Sequence, residues 1–354
     1  MKRATSTDVA RLAGVSRTTV SLVINGVQDA RLSAETRERV INAAHELNYM
    51  PNALGRSLVR GKTDVIALVI RDLQLLDVDL YLQPLLFGIV RHANEVGFSL
   101  RVESIGSNAG MASIAALIDS GGLDGIIVEN LNFREQELVQ LIEHGRPVVI
   151  LGSQGTAAEY AVQLDNMAAA TLAMEHIIGL GRRHIVHVPY SPLGVHSTDR
   201  RIEGYQATLG KYGIPFDPGM IEPANFSPES AYDAMKRLLL RYRHRPPDAL
   251  FAGSDAMAIG AMGAIYDAGF RIPHDIAVVG VDDIGLAASV RPSITTVQSH
   301  PEVQGDLASR MLIELINGRK PKRIQTIVPE LIVRGSTVEG YDRARWQGQV
   351  EGAI

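Results

Sequence analysis

The chain has 354 residues, 46% apolar and 21% charged, the balance of a soluble protein of two or three domains. It has no cysteine, which excludes disulfides, thiolate metal sites and cysteine nucleophiles; no run approaches the roughly 18 apolar residues of a membrane span, and MKRATSTDVA lacks the apolar segment of a secretory signal. Net charge is −4, unevenly placed: residues 1–62 hold ten Lys/Arg against five Asp/Glu, so a head of +5 precedes a body of −9, as expected of a head that meets a polyanion.

Residues 8–27 read DVARLAGVSRTTVSLVINGV. Ser6 or Thr7 is expected to cap a first helix, with Asp8 in its first turn and Val9, Leu12 and Ala13 at helical spacing. Gly14 supplies the left-handed residue that ends it. A second helix runs from Ser16 to about Asn25, with Gly26 as its stop. On it Ser16, Thr19, Val20 and Val23 share one face, while Arg17, Thr18, Ser21 and Leu22 share the opposite one. A third helix follows Ser33 as N-cap, with Val40, Ile41, Ala44 and Leu47 as its apolar stripe. None of the three is long enough to be stable alone, so they are expected to share one core and present the Arg17 face. Two short helices joined at a glycine, with Arg, Thr and Ser outward, make a helix-turn-helix pattern; the alternative is an ordinary helical hairpin.

Residues 51–62 read as a hinge or linker. The seven residues from Asn52 to Leu58, with Gly55 in the middle, are too few for an isolated helix in water.

From Asp64 onward short apolar runs alternate with helical stretches: VIALVI (65–70), FSLRV (98–102), DGIIV (124–128), PVVIL (147–151), HIVHV (184–188), ALFAG (249–253) and IAVVGV (276–281). The alternation predicts parallel sheets covered by helices, in two doubly wound arrays meeting near Asp165 with a cleft between them. Ligands in such sheets bind beyond the carboxyl ends of strands, where Gly253-Ser254-Asp255 and Asp282-Asp283 fall. Asp255 is expected to cap its helix and Asp283 to serve a turn. The polar tail, 338–354, carries no leucine heptads.

The segments DVARLAGVSRTTVSLVINGV and SAETRERVINAAHELNYMPNALGRSL resemble the DNA-binding head of the lactose-repressor (LacI/GalR) family, without a gap from about Thr5 to Leu58. QLDNMAAATLAMEHIIGLGRRHI, RRIEGYQATL, LFAGSDAMAIGAMGAIYDAGFRIPHDIAVVGVDDI and PSITTVQ resemble that family's periplasmic-binding-protein-like core, to about Thr337. The implied α/β architecture is a three-helix helix-turn-helix domain (1–50), a hinge (51–62) and a two-lobed core of doubly wound parallel sheets (63–337). The N-lobe is expected over about 63–164 and 293–321, and the C-lobe over about 165–292 and 322–337.

By the resemblance, Arg17 and Thr18 read base edges in the major groove, where a guanidinium suits guanine and a methyl suits thymine. Leu22 stands where the family often has Arg, so one base contact is expected to differ. Ser16, Ser21, Asn25 and Thr36 are phosphate-positioning candidates, and Asn52 is a further DNA-binding candidate. Leu58 holds the place of the minor-groove wedge, and Gly55, where Ala is usual, makes the hinge harder to fold by up to about 1 kcal/mol. For the core the resemblance implies an effector site of Ser197, Arg201, Phe226, Ser254 and Asp282. The usual Asn-Pro-Phe-Phe-like stretch is replaced by RDLQLLDVDLYLQPLL (71–86), from which Asp72 and Tyr81 are candidate wall residues.

The expected function is a sequence-specific transcriptional regulator, a repressor by preference, acting as a cytoplasmic homodimer on a pseudo-palindromic double-stranded operator. A sugar or related small-molecule effector controls it. No cofactor, metal, membrane or catalytic residue is expected, since Gly-x-Ser-x-Gly, the P-loop, His-Glu-x-x-His and a strand-to-helix Gly-x-Gly-x-x-Gly are all missing. The alternative is a solute-binding protein of the same core fold without a regulatory role.

Overall fold

A computed structural model describes residues 4–24, 32–49, 62–104, 111–119, 121–129, 144–152, 159–191 and 193–340. The chain divides into two compact units, Met1–Asp64 and Val65–Ile354.

The first unit holds α1 (Ser6–Ala13), α2 (Arg17–Ile24) and α3 (Ala34–Glu46). The cap of α1 is Thr5, one residue before the expected Ser6 or Thr7. Its hydroxyl accepts from the Asp8 N–H while the Asp8 carboxylate accepts from the Thr5 N–H, a reciprocal capping box. Gly14 ends the helix at φ 66°, and Ser33 caps α3, both as the sequence implies. The core consists of Val9, Ala10, Ala13, Val20, Val23, Val40, Ala43 and Ala44. Two expected members turn outward: Leu12 and Ile41 are each 47% exposed, and Ala10 and Ala43 replace them. The seam of the three helices falls on these alanines, and the two larger side chains are left outside it.

The second unit contains β1 (Val65–Ile70), α4 (Leu75–Val78), α5 (Leu82–Glu95), β2 (Ser99–Ser104), α6 (Met111–Asp119), β3 (Gly125–Glu129), β4 (Val148–Leu151) and β5 (Ala161–Leu164). After these come α7 (Asn166–Gly179), β6 (Ile185–Val188), α8 (His196–Lys211), α9 (Pro228–Arg241), β7 (Ala249–Ala252), α10 (Asp255–Asp267), β8 (Ala277–Asp282) and β9 (Thr295–Gln298). The last elements are α11 (Pro301–Ile316), β10 (Ile324–Ile327) and β11 (Glu330–Ile332). One sheet has the order β10-β5-β4-β3-β1-β2, with every pairing parallel. The other has the order β11-β9-β8-β7-β6, parallel except at the β11 edge.

Both faces of each sheet are covered, which is why the strands read as unbroken apolar runs. In β1, Ile66, Leu68 and Ile70 pack beneath α5 and α11, while Ala67 and Val69 face the side of α6. In the second sheet Ile185, Phe251 and Val279 belong to the core with α7 and α8, and Val186, Leu250 and Val278 to that with α9 and α10. Helices α5 and α11 cross at two glycines. A Cβ on Gly88 would lie 2.0 Å from the Glu302 carbonyl oxygen, and one on Gly305 2.2 Å from that of Leu85.

The chain passes between lobes at 164–166, 298–301 and 327–330. The last two crossings correct the expected exchange at 292/293 and 321/322. Strand β9 pairs with β8 in the second sheet before the chain leaves it, and β10 pairs with β5 in the first. Hydrogen-bonding partners decide where a strand belongs, and they lie far away in sequence.

Candidate DNA-reading face and effector cleft

On α2, Val20 and Val23 are buried, while Arg17, Thr18 and Ser21 are exposed on the other side, as the helical spacing requires. Leu22 is half-buried. Ser16 and Thr36 carry local work: the Ser16 hydroxyl accepts from the Thr19 N–H at 3.0 Å, and the Thr36 and Ser33 hydroxyls are 2.9 Å apart. Asn25, Asn52 and Leu58 lie outside the described residues.

In the core, a cleft of about 570 Å³, partly open to solvent, lies between the lobes at the carboxyl ends of the strands. Ser197, Arg201, Phe226, Ser254 and Asp282, the five residues expected there, all line it. Arg201 projects from α8 and is 93% buried; its Nε donates to Asn166 Oδ1 at 2.8 Å and an Nη to the Gly253 carbonyl. Its guanidinium lies over the Tyr190 ring, 4.8 Å from the centroid. Asn166 is aimed by its own amide, which donates to the Leu164 carbonyl at 3.2 Å.

Asp282 ends β8 with φ 109°, a backbone conformation rarely adopted outside glycine, and such conformations concentrate at functional sites. Burial pushes its carboxyl up, and Arg201 and a 2.9 Å hydrogen bond from the Ser299 hydroxyl hold it back. Ser254, and not Asp255, caps α10, accepting from the Met257 N–H at 3.2 Å. Asp255 is the first residue of that helix and fully buried, its Oδ2 accepting from the Ile284 N–H at 3.0 Å. Asp283 occupies a turn at φ 58° and pairs with Arg334 at 2.6 Å. The Ser197 hydroxyl bonds to that of Tyr190, and the Phe226 ring meets the edge of Tyr190 at 5.5 Å between centroids.

The stretch 71–86 supplies Asp79 and Tyr81 to the cleft. Tyr81 was a sequence candidate; Asp72, the other, does not line the cleft and instead accepts from the Gln74 N–H at 3.0 Å. The Tyr81 hydroxyl donates to Gln304 Oε1 at 3.0 Å, Gln304 Nε2 donates to the Ser299 carbonyl at 2.7 Å, and Ser299 reaches Asp282. One hydrogen-bonded chain therefore joins the two lobes along a crossing segment. Sequence reasoning missed Asp79, Asn166, Tyr190, Ser299 and Gln304. Their only local signal is position, next to strand ends or lobe crossings, and no spacing marks them.

A helix-turn-helix unit followed by a two-lobed core with a polar cleft is the architecture of ligand-sensing DNA-binding regulators. The description "Bacterial regulatory proteins, lacI family" matches residues 5–52, and "Periplasmic binding protein-like domain" matches residues 174–337. The HTH-type transcriptional regulator CelR of Thermobifida fusca is 32% identical over 347 residues, covering 95% of this chain and 98% of CelR. The ribose operon repressor of Escherichia coli (strain K12) is 32% identical over 338 residues, covering 94% of this chain and 99% of that protein. Among solved structures, the lac repressor dimer bound to operator and the anti-inducer ONPF matches with a TM-score of 0.84 at 26% identity, covering 95% of this chain and 100% of that chain. The CelR–cellobiose complex matches with a TM-score of 0.71 at 32% identity, covering 94% of this chain and 100% of that chain. The protein is thus a DNA-binding transcriptional regulator. It belongs to the lacI family of bacterial regulatory proteins. Among the described residues no helix is long and apolar enough to cross a membrane.

Proposed function

We propose that the chain is a cytoplasmic repressor that binds a pseudo-palindromic operator as a homodimer and releases or engages it when a sugar-like effector occupies the cleft. The observation that carries this reading is the convergence of all five expected effector residues on one cleft between the lobes. An effector touching both lobes favours one relative orientation of them and shifts the population of DNA-competent molecules. Coupling of this kind is reciprocal, so operator DNA changes effector affinity by the same factor.

On the DNA side, Arg17 and Thr18 read bases, Ser16, Ser21, Asn25 and Thr36 position the backbone, and Asn52 is a further DNA contact. The hinge at 51–62 folds on the operator and inserts Leu58 as a wedge. Residues 1–50 form the reading domain and 63–337 the sensing core. No residue is assigned a catalytic role. Relatives that include a regulator solved as a cellobiose complex and a ribose operon repressor support a sugar-like effector.

Selection of bound duplexes from a random library by the full-length protein tests the reading. The expected product is a palindromic consensus whose occupancy changes with a sugar. Recovery of no preferred duplex, with and without sugars, overturns it.

A further inference from the structure

The stretch 71–86 does more than line the cleft. Leu75 belongs to the N-lobe core beneath α5 and α11, and Leu76, Val78 and Tyr81 pack against that core. Leu80 packs instead against the C-lobe core of α9 and α10, which includes Ile284 and Ala287. Local structure carries it there. Asp79 follows α4 in extended backbone, its Oδ1 accepts from the Tyr81 N–H at 3.1 Å, and the Leu82 N–H donates to the Asp79 carbonyl at 3.1 Å. Leu80 is thus the first central residue of a tight turn, carried at its tip.

The C-lobe reciprocates. Phe226 precedes α9, yet its ring is a member of the N-lobe core and only 6% exposed. Its backbone is held at φ 59°, a region phenylalanine rarely adopts, while its N–H donates to the Tyr190 carbonyl at 2.7 Å. Tyr190 packs against both cores. Each lobe therefore seats one apolar side chain in the core of the other, and Tyr81, Tyr190 and Phe226 line the cleft beside them. Units that meet through a small polar interface move relative to one another by default. Lobes that share apolar side chains must expose those side chains to water in order to part.

We infer that Leu80 and Phe226 form a clasp across the cleft, which sets how often the lobes part and how readily a small molecule enters. Its regulatory meaning rests on the cleft being the effector site: the clasp then biases the same lobe equilibrium that the effector shifts. The Phe226 ring both lines the cleft and fills the N-lobe core, so a ligand lying on that ring competes with the packing that holds the clasp.

The sequence has no cysteine, so one introduced thiol reports on access. In the full-length protein, Ser197→Cys places a thiol in the cleft, where Ser197 is 6% exposed. Ala173→Cys places one in the core shared by α7 and α8, to which neither Leu80 nor Phe226 belongs. The rate of labelling by N-ethylmaleimide is measured in each background, with and without Leu80→Ala or Phe226→Leu. The clasp variants are expected to speed labelling at position 197 about tenfold and to change it at position 173 by less than about twofold. Leu80→Val serves if either clasp variant does not fold. Equal rates at position 197 with and without the clasp overturn the inference. Equal acceleration at positions 197 and 173 also overturns it, because the two side chains would then stabilise the fold in general. The experiment uses no effector, so its failure leaves the sugar-effector reading standing, and a failure of sugars to bind leaves the clasp standing.

Discussion

Arg201→Ala tests the centre of the cleft. The guanidinium makes two hydrogen bonds, to Asn166 Oδ1 and the Gly253 carbonyl, and covers the Tyr190 ring at 4.8 Å. Each charged hydrogen bond contributes about 1.5–3 kcal/mol and a desolvated cation–ring contact about 1–2 kcal/mol. Against these stands the cost of keeping a cation 93% buried, several kcal/mol, which the alanine variant no longer bears. The loss also leaves two polar acceptors without their donor, and Asp282 without the cation that holds its carboxyl down. The net expectation is a destabilisation of about 2–4 kcal/mol. For a unit the size of the core that is a fall of about 5–10 °C in Tm. Scanning calorimetry of the full-length protein reads the stability, and titration with the sugar selected by thermal shift reads the site, where binding is expected to be lost. Arg201→Lys keeps the charge but cannot serve Asn166, Gly253 and the ring together, so it should fall between wild type and alanine. Unchanged Tm and unchanged sugar affinity in Arg201→Ala would refute the account of this residue.

Three further predictions follow from other parts of the molecule. Arg17→Ala should relax base preference at one position of each half-site by about 1–3 kcal/mol, read by competition among single-base operator variants; uniform weakening across all sequences would make Arg17 a phosphate contact. Gly88→Ala should cost about 1–3 kcal/mol or more in denaturant unfolding, because its Cβ would stand 2.0 Å from a backbone oxygen of α11; an unchanged midpoint would show that α5 and α11 separate freely. His187 is fully buried, stacked on Phe251 at 4.5 Å, with Nδ1 donating to the Phe251 carbonyl at 2.8 Å, and burial pushes it down to about 4. The unfolded imidazole takes a proton from about pH 6.5 downward and the folded one only near 4. His187 therefore costs no stability above pH 6.5 and up to about 3 kcal/mol as pH falls to 4. The stability difference between wild type and His187→Gln should change with pH across that window, and a constant difference would remove His187 from the acid response.

What the sequence determined by itself is local chemistry. Gly14 and Ser33 mark helix ends because a left-handed residue and a capping hydroxyl act within three or four positions. The Arg17–Thr18–Ser21 face follows from the helical period, and the seven apolar runs became β1–β4 and β6–β8, with ends shifted by no more than two residues. The cleft-lining residues Ser197, Arg201, Phe226, Ser254 and Asp282 were legible through family resemblance, since their own spacing carries no period. Tertiary structure alone decided the rest. Leu12 and Ile41 are exposed because the seam of the three helices falls on Ala10 and Ala43 instead, and which positions a helix covers depends on its neighbours elsewhere in the chain. The exchange of β9 and β10 between lobes is set by hydrogen-bonding partners more than 100 residues away for β10 and β5. The path Tyr81–Gln304–Ser299–Asp282 spans more than 200 residues, and Asp79 meets the charge of Asp282 over a similar distance. Such encounters leave no local pattern, because a polar side chain bound for a buried cleft reads in one dimension like any surface residue.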